Sequence, residues 1–169
     1  MTKDRTYSFL FIGNSYTYVN ELWEVFRKAA ESAGYSVTVD SVTCGGYYLD
    51  FLADPGDLYG AEVAKKLDSQ KYDYVFVQEQ SMCPILDYAR FERGAKALYE
   101  KIKENGAQFV FYQTWGRKTG SGDLASLKLT NESMTRALAE AYQKLGAELN
   151  VPVSPAVLYS MKSIPRTRN

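Results

Sequence analysis

The 169-residue chain contains no histidine, and that absence governs every reading of its chemistry. Histidine is the side chain whose ordinary pKa suits proton transfer near neutral pH, so no His-dependent dyad or triad can be assembled from these residues. Two cysteines, Cys44 and Cys83, are too few for a disulfide framework or a zinc site. Both read as small buried hydrophobes with free thiols, and neither a metal nor a cofactor is expected. Net charge is missing as well. Twenty basic side chains balance twenty acidic ones, which leaves no field to recruit nucleic acid or an anionic membrane. No apolar run approaches the roughly 20 residues of a membrane span, and the opening MTKDRTY is unlike a signal peptide. The cytoplasm is the expected address, with secretion left open if a leader has been removed.

What is present is the composition of an ordinary globular domain, 46% hydrophobic and 24% charged. Strands and helices alternate along it. YSFLFI (7–12) is a continuous apolar run, as a central parallel strand buried on both faces requires. SVTVDSV (36–42), YVFVQ (74–78), QFVFYQT (108–114) and VPVS (151–154) read as further strands, the last at an edge because Pro152 lacks a ladder donor. Helical stripes lie between them: Leu22, Phe26, Ala29, Ala30 and Ala33 behind an Asn20 N-cap; a weaker one from Asp57 to Leu67; Phe91, Ala95, Leu98 and Ile102; and Met134, Leu138, Ala141, Leu145 and Leu149. The alternation implies an α/β fold, a three-layer α/β/α sandwich around a five-stranded parallel sheet. Residues 1–154 form the expected domain. Residues 155–169 read as an irregular basic tail standing where such a fold normally adds a last helix.

In an open parallel sheet, ligands bind beyond the carboxyl ends of the strands. Four segments lie there: GNSYT (13–17), TCGGYY (43–48), QEQSMCP (78–84) and TWGRK (114–118). Ser15 sits on the turn after the first strand, exposed and near backbone N–H groups, where a helix dipole would favour it if a helix begins nearby. Capping of that helix by Asn14 and Ser15 is the plain alternative. Gly45 and Gly46 permit close backbone approach, and a free N–H there could serve an oxyanion. Gln78 and Gln80 either donate to such an oxyanion or close the strand end by hydrogen bonding. Tyr16, Tyr18, Tyr47 and Tyr48 cluster about the same mouth, where aromatic faces suit a sugar ring or an acyl chain.

Taken together, these segments resemble the SGNH hydrolases, a superfamily of esterases and lipases whose first block reads Gly-Asp-Ser or Gly-Asn-Ser. The GNSYT, QEQS and TWGR blocks resemble one branch of it, in matching order over residues 7 to 154. The resemblance implies a flavodoxin-like fold with Ser15 as nucleophile and its own N–H as one oxyanion donor. Gly46 would supply a second N–H. Gln80 would stand in for the side-chain donor of the third block, with Gln78 in reserve. Asn14, Tyr16, Tyr47, Trp115 and Arg117 would line the substrate site, Arg117 either binding an anionic group or packing at the surface.

The same resemblance calls for a final Asp-x-x-His block, and the sequence does not carry it. A serine hydroxyl is a poor nucleophile unless a base takes its proton, so Ser15 is expected to be positioned but nearly inert. Asp50, Glu79 and Lys118 are the nearby alternatives, each read here as a solvated surface charge. The leading expectation is thus an esterase or acetylesterase scaffold for small or carbohydrate-linked esters, impaired as it stands by truncation, frameshift or a cloning boundary. Two other readings stay open: a non-catalytic module that binds acylated ligands, and a flavodoxin-like FMN-binding protein. Apolar side chains left uncovered by a missing last helix should pair with a second copy of the chain, giving a homodimer through the sheet face.

Overall fold

The computed structural model describes residues 1–19 and 21–155. The Asn20 cap and the tail from 156 onward therefore lie outside the described residues. Five strands, β1 (Thr6–Gly13), β2 (Ser36–Thr43), β3 (Tyr74–Val77), β4 (Gln108–Gln113) and β5 (Val153–Pro155), make one sheet in the order β2-β1-β3-β4-β5. Every neighbouring pair is parallel, as the βα alternation requires. The final strand begins after Pro152 and runs through Pro155 at the sheet edge, one residue into the span assigned to the tail.

The helices are α1 (Ser15–Tyr18), α2 (Leu22–Ser32), α3 (Leu49–Ala53), α4 (Leu58–Ser69), α5 (Cys83–Leu86), α6 (Tyr88–Asn105), α7 (Gly122–Ser126) and α8 (Asn131–Leu149). Three of the long helices, α4, α6 and α8, open on side-chain N-caps. The Asp57 side chain accepts from Tyr59 N and Gly60 N to open α4, and Asp87 accepts from Arg90 N to open α6. Thr130 and Ser133 form a reciprocal capping box on α8. The first long helix is an exception: Glu21, in a left-handed conformation, precedes α2 and makes no side-chain cap.

The two faces of the sheet are covered unequally. On one face Leu10, Ile12, Val75, Val77, Phe109 and Phe111 meet α3, α4, α6 and α8. The stripe predicted on α6 is wholly buried there, and Phe91 packs its ring 5.6 Å from Phe111 and 5.0 Å from Tyr142. On the other face Tyr7, Phe9, Phe11 and Val37 meet α2 alone among the described helices. No residue of α2 is fully buried, and Val25 is 55% exposed. An apolar groove of about 510 Å³ runs along this side between α2 and the sheet, walled by Phe11, Leu22, Phe26, Phe76 and Tyr112. It is the face that the sequence reading assigns to a second copy of the chain. Among the described residues, no helix is long and apolar enough to cross a membrane.

The covered face holds the larger core, so stability is expected to concentrate there. Phe91→Ala removes a fully buried ring from its centre and should cost about 3–5 kcal/mol. Urea unfolding followed by circular dichroism measures that loss.

Candidate active site

Strand β1 feeds β2 on one side and β3 on the other, which makes the β1/β3 boundary the topological switch point of the sheet. The Gly13-Asn14-Ser15 turn emerges there. Its shape follows from two buried amides that hold each other. Asn14 N donates to Gln78 Oε1 at 3.0 Å, and Gln78 Nε2 donates back to Asn14 Oδ1 at 2.9 Å. Both side chains are 1% exposed. Gln78 Oε1 also accepts from Thr17 Oγ1 at 2.8 Å, and its Nε2 reaches Glu79 O. A Cβ at Gly13 would lie 2.6 Å from Gln78 Oε1 and 2.5 Å from Thr17 Oγ1, so only glycine fits beneath this amide.

Asn14 serves the neighbouring loop too, donating from Nδ2 to Tyr47 O at 3.0 Å. Together with Cys44 N donating to Gly13 O at 3.2 Å, this draws the Gly45-Gly46 loop against the turn. Ser15 is half-buried as the first residue of α1. Among the described residues, neither its hydroxyl nor its N–H takes a hydrogen bond, and the same holds for the N–H of Gly46, whose φ is +73°. The dipole argument does not survive. The helix that begins at Ser15 is a single turn of four residues, too short to sum its peptide dipoles.

The two glutamines are held differently. Both N–H bonds of the Gln78 amide go to Asn14 and to backbone, which removes it as a reserve oxyanion donor. Gln80 Oε1 accepts from Met82 N at 2.9 Å and Cys83 N at 3.1 Å and so caps the turn into α5; its Nε2 is unpartnered among the described residues. The edge of Tyr16 meets Trp115 with centroids 5.1 Å apart. Arg117 lies close by, donating from Nη2 to Ser81 Oγ at 3.0 Å, with Nε 3.4 Å from Asp123 Oδ2 but not aligned for a hydrogen bond. Burial raises the Tyr16 pKa and the nearby Arg117 charge opposes the rise. Tyr47 turns its hydroxyl to Asp57 Oδ2 at 3.3 Å and its ring edge to Phe51 and Tyr59.

Of the three supposed solvated charges, Asp50 is partly exposed but ion-paired and Glu79 is not at the surface. Asp50 binds Arg90 through both oxygens, at 2.8 and 3.0 Å, while that guanidinium lies 3.6 Å over the Tyr48 ring. Glu79 is completely buried. Its Oε1 accepts from Leu49 N at 3.1 Å and Gln80 N at 2.6 Å, and Oε2 has no partner among the described residues. Burial, with the Asp50 charge as a lesser cause, raises its pKa to about 7. No hydrogen bond joins it to Ser15. Lys118 is exposed, as expected. Cys83 is buried, with its thiol pKa pushed well up by burial, whereas Cys44 is only partly covered.

Comparison with solved structures places this arrangement. A proposed SGNH hydrolase from Slackia heliotrinireducens superposes with a TM-score of 0.79 at 27% identity, over 93% of this chain and 83% of that one. The chain has the SGNH hydrolase fold. A DUF4886 family protein from Bacteroides uniformis shares the fold at 17% identity and a TM-score of 0.74, over 89% of this chain and 67% of that one. A lipase/acylhydrolase from Enterococcus faecalis does so at 16% and 0.65, over 95% and 81%. No family model and no curated protein matches the sequence. In SGNH terms, the chain is an esterase-type scaffold with Ser15 at the switch point of the sheet.

Sequence reasoning missed three polar participants: Thr17 beneath the turn, Ser81 under Arg117, and the Tyr142 hydroxyl, which accepts from Glu79 N at 3.0 Å. Tyr142 falls four residues after Leu138 on the α8 stripe, and that spacing could have placed it in the core. The site depends most on the Asn14–Gln78 pair. Gln78→Ala should strand the Asn14 N–H and the Thr17 hydroxyl in a buried place, at a cost on the order of 3 kcal/mol. Thermal unfolding reads the loss, and an unchanged midpoint would show that the pair does not hold the turn.

Proposed function

We propose that the chain is an SGNH-type acyl-binding scaffold, built to seat a small or carbohydrate-linked ester at Ser15 and nearly unable to cleave it. The observation that carries this reading is the Asn14-centred knot. It presents two backbone N–H groups without partners among the described residues, those of Ser15 and Gly46, at the sheet's switch point, in a chain without histidine. Two such donors suit the developing oxyanion of an ester carbonyl under attack. Gln80 Nε2 is a third candidate, if its amide turns from the local cap. Tyr16 and Trp115 provide an aromatic wall, and Arg117 a positive charge for an anionic part of the ligand.

Cleavage requires more than this. As Ser15 Oγ bonds to the carbonyl carbon, its proton must leave for a base, and the leaving alcohol must then receive one. No hydrogen-bonded base stands at Ser15 among the described residues. Loss of triad members from serine hydrolases lowers turnover by on the order of 10⁶, while binding and oxyanion donors persist. Ligand binding without turnover follows as the second reading of the same site, favoured by the absent histidine. The flavin alternative is the less favoured reading of this turn. The turn amides of Asn14, Tyr16 and Thr17 are all engaged within the turn or with Gln78.

The expected outcome is p-nitrophenyl acetate hydrolysis no faster than buffer, unchanged in Ser15→Ala. Calorimetry with acetate and acetylated sugars should nevertheless detect binding, weakened by Arg117→Ala for acidic members of the panel. Robust turnover abolished by Ser15→Ala would reject the inert reading. No heat across the panel would reject the binding site.

A further inference from the structure

The loop carrying Gly46 is held at three points. Cys44 N bonds to Gly13 O, Tyr47 O accepts from Asn14 Nδ2, and Leu49 N donates to Glu79 Oε1. The first two tie the loop to the Ser15 turn. The third ties the start of α3 to the end of β3, and the same oxygen also takes Gln80 N. Glu79 is the one ionisable partner among these three pins. Its second oxygen is buried without a partner among the described residues, so no bond there competes for the carboxyl group. We propose that Glu79 is a positioning residue for the oxyanion face, a proton-sensitive pin that sets how firmly the Gly46 N–H is held beside Ser15. The proposal rests on the reading of Gly46 as an oxyanion donor.

The groups around Glu79 set the direction of its response. Asp50 on α3 opposes ionisation, and Arg90 on α6 favours it but is bound through two nitrogens to Asp50. Cys83 on α5 and the Tyr142 hydroxyl on α8 face it from the remaining helices, both with pKa values raised by burial and so neutral. With the folded pKa raised to about 7, the pinned state binds the proton more tightly than an opened, hydrated Glu79 does. The pin is therefore firm below the ordinary carboxylate value and weakens as pH rises towards 7. Above that both states are ionised and the dependence ends.

Amide hydrogen exchange on the 169-residue chain and on Glu79→Gln tests this without any substrate. Exchange at Leu49 and Gln80, corrected for intrinsic rates, is followed from about pH 5 to about pH 8, with Phe11 in β1 reporting opening of the whole fold. In the wild type, opening at Leu49 should rise by up to about tenfold per pH unit, level off above about 7, and exceed that of Phe11 throughout. The Gly46 amide resonance should shift over the same range. Glu79→Gln keeps an acceptor oxygen and cannot ionise, so both profiles should be flat with Leu49 still protected. A flat wild-type profile, a Gly46 resonance that does not move, or exchange at Leu49 that only tracks Phe11 would overturn the proposal. So would a slope that persists in Glu79→Gln. If that variant does not fold, the wild-type profiles alone decide. Failure of ester or acid binding would remove the functional reading while leaving this titration intact, so the two failures are distinguishable.

Discussion

The reciprocal pairing of two buried amides, Asn14 and Gln78, is the constraint on which the rest of this site depends. A buried primary amide must find partners for two N–H bonds and for its oxygen, or bear the cost of desolvation. Here the Gln78 amide donates to the Asn14 side-chain oxygen and accepts from the Asn14 backbone N–H, and the remaining groups reach outward. Asn14 extends to the Tyr47 carbonyl, and Gln78 to the Thr17 hydroxyl. Three chain segments distant in sequence are thereby fixed to one another at the switch point. Gly13 is required because the Gln78 oxygen comes too close for any Cβ. The serine's placement is a consequence of this knot, with no contribution needed from a helix dipole.

The second feature is asymmetry. Four helices bury one face of the sheet while α2 alone covers part of the other among the described residues. On the covered face Tyr142 and Leu49 bond to Glu79 just beyond β3, whereas the α2 side keeps an apolar groove. The Ser15 turn and the Gly46 loop are tied to the ends of β1 and β3 through Asn14, Gln78 and Glu79.

Much of the fold was legible beforehand because hydrophobic periodicity survives translation into structure. The stripe at Phe91, Ala95, Leu98 and Ile102 is buried as its spacing implies, and Asn105-Gly106 ends that helix with a left-handed glycine. Polar side chains at the strand ends were less readable, because their partners lie far along the chain. Glu79 looks like any loop carboxylate in QEQS, yet it is sealed beneath α3 and α8. Asp50 looks solvated and is clamped by Arg90, forty residues away. Gln78 and Gln80 are chemically identical and two positions apart, yet beyond the end of β3 the first bonds to the Asn14 turn and the second caps the turn into α5.

By itself, then, the sequence determined a parallel α/β sheet, the strand ends at which chemistry would lie, and the lack of histidine to act there. These follow from local pattern and composition, which need no knowledge of partners. Only the tertiary structure decided which amide is tied into the Asn14 turn and which keeps an N–H free of partners among the described residues, and that Glu79 is a buried carboxyl group bonded at the start of α3. Hydrogen-bond pairing and desolvation are properties of neighbours in space, and those neighbours are brought together by packing that no short stretch of sequence contains.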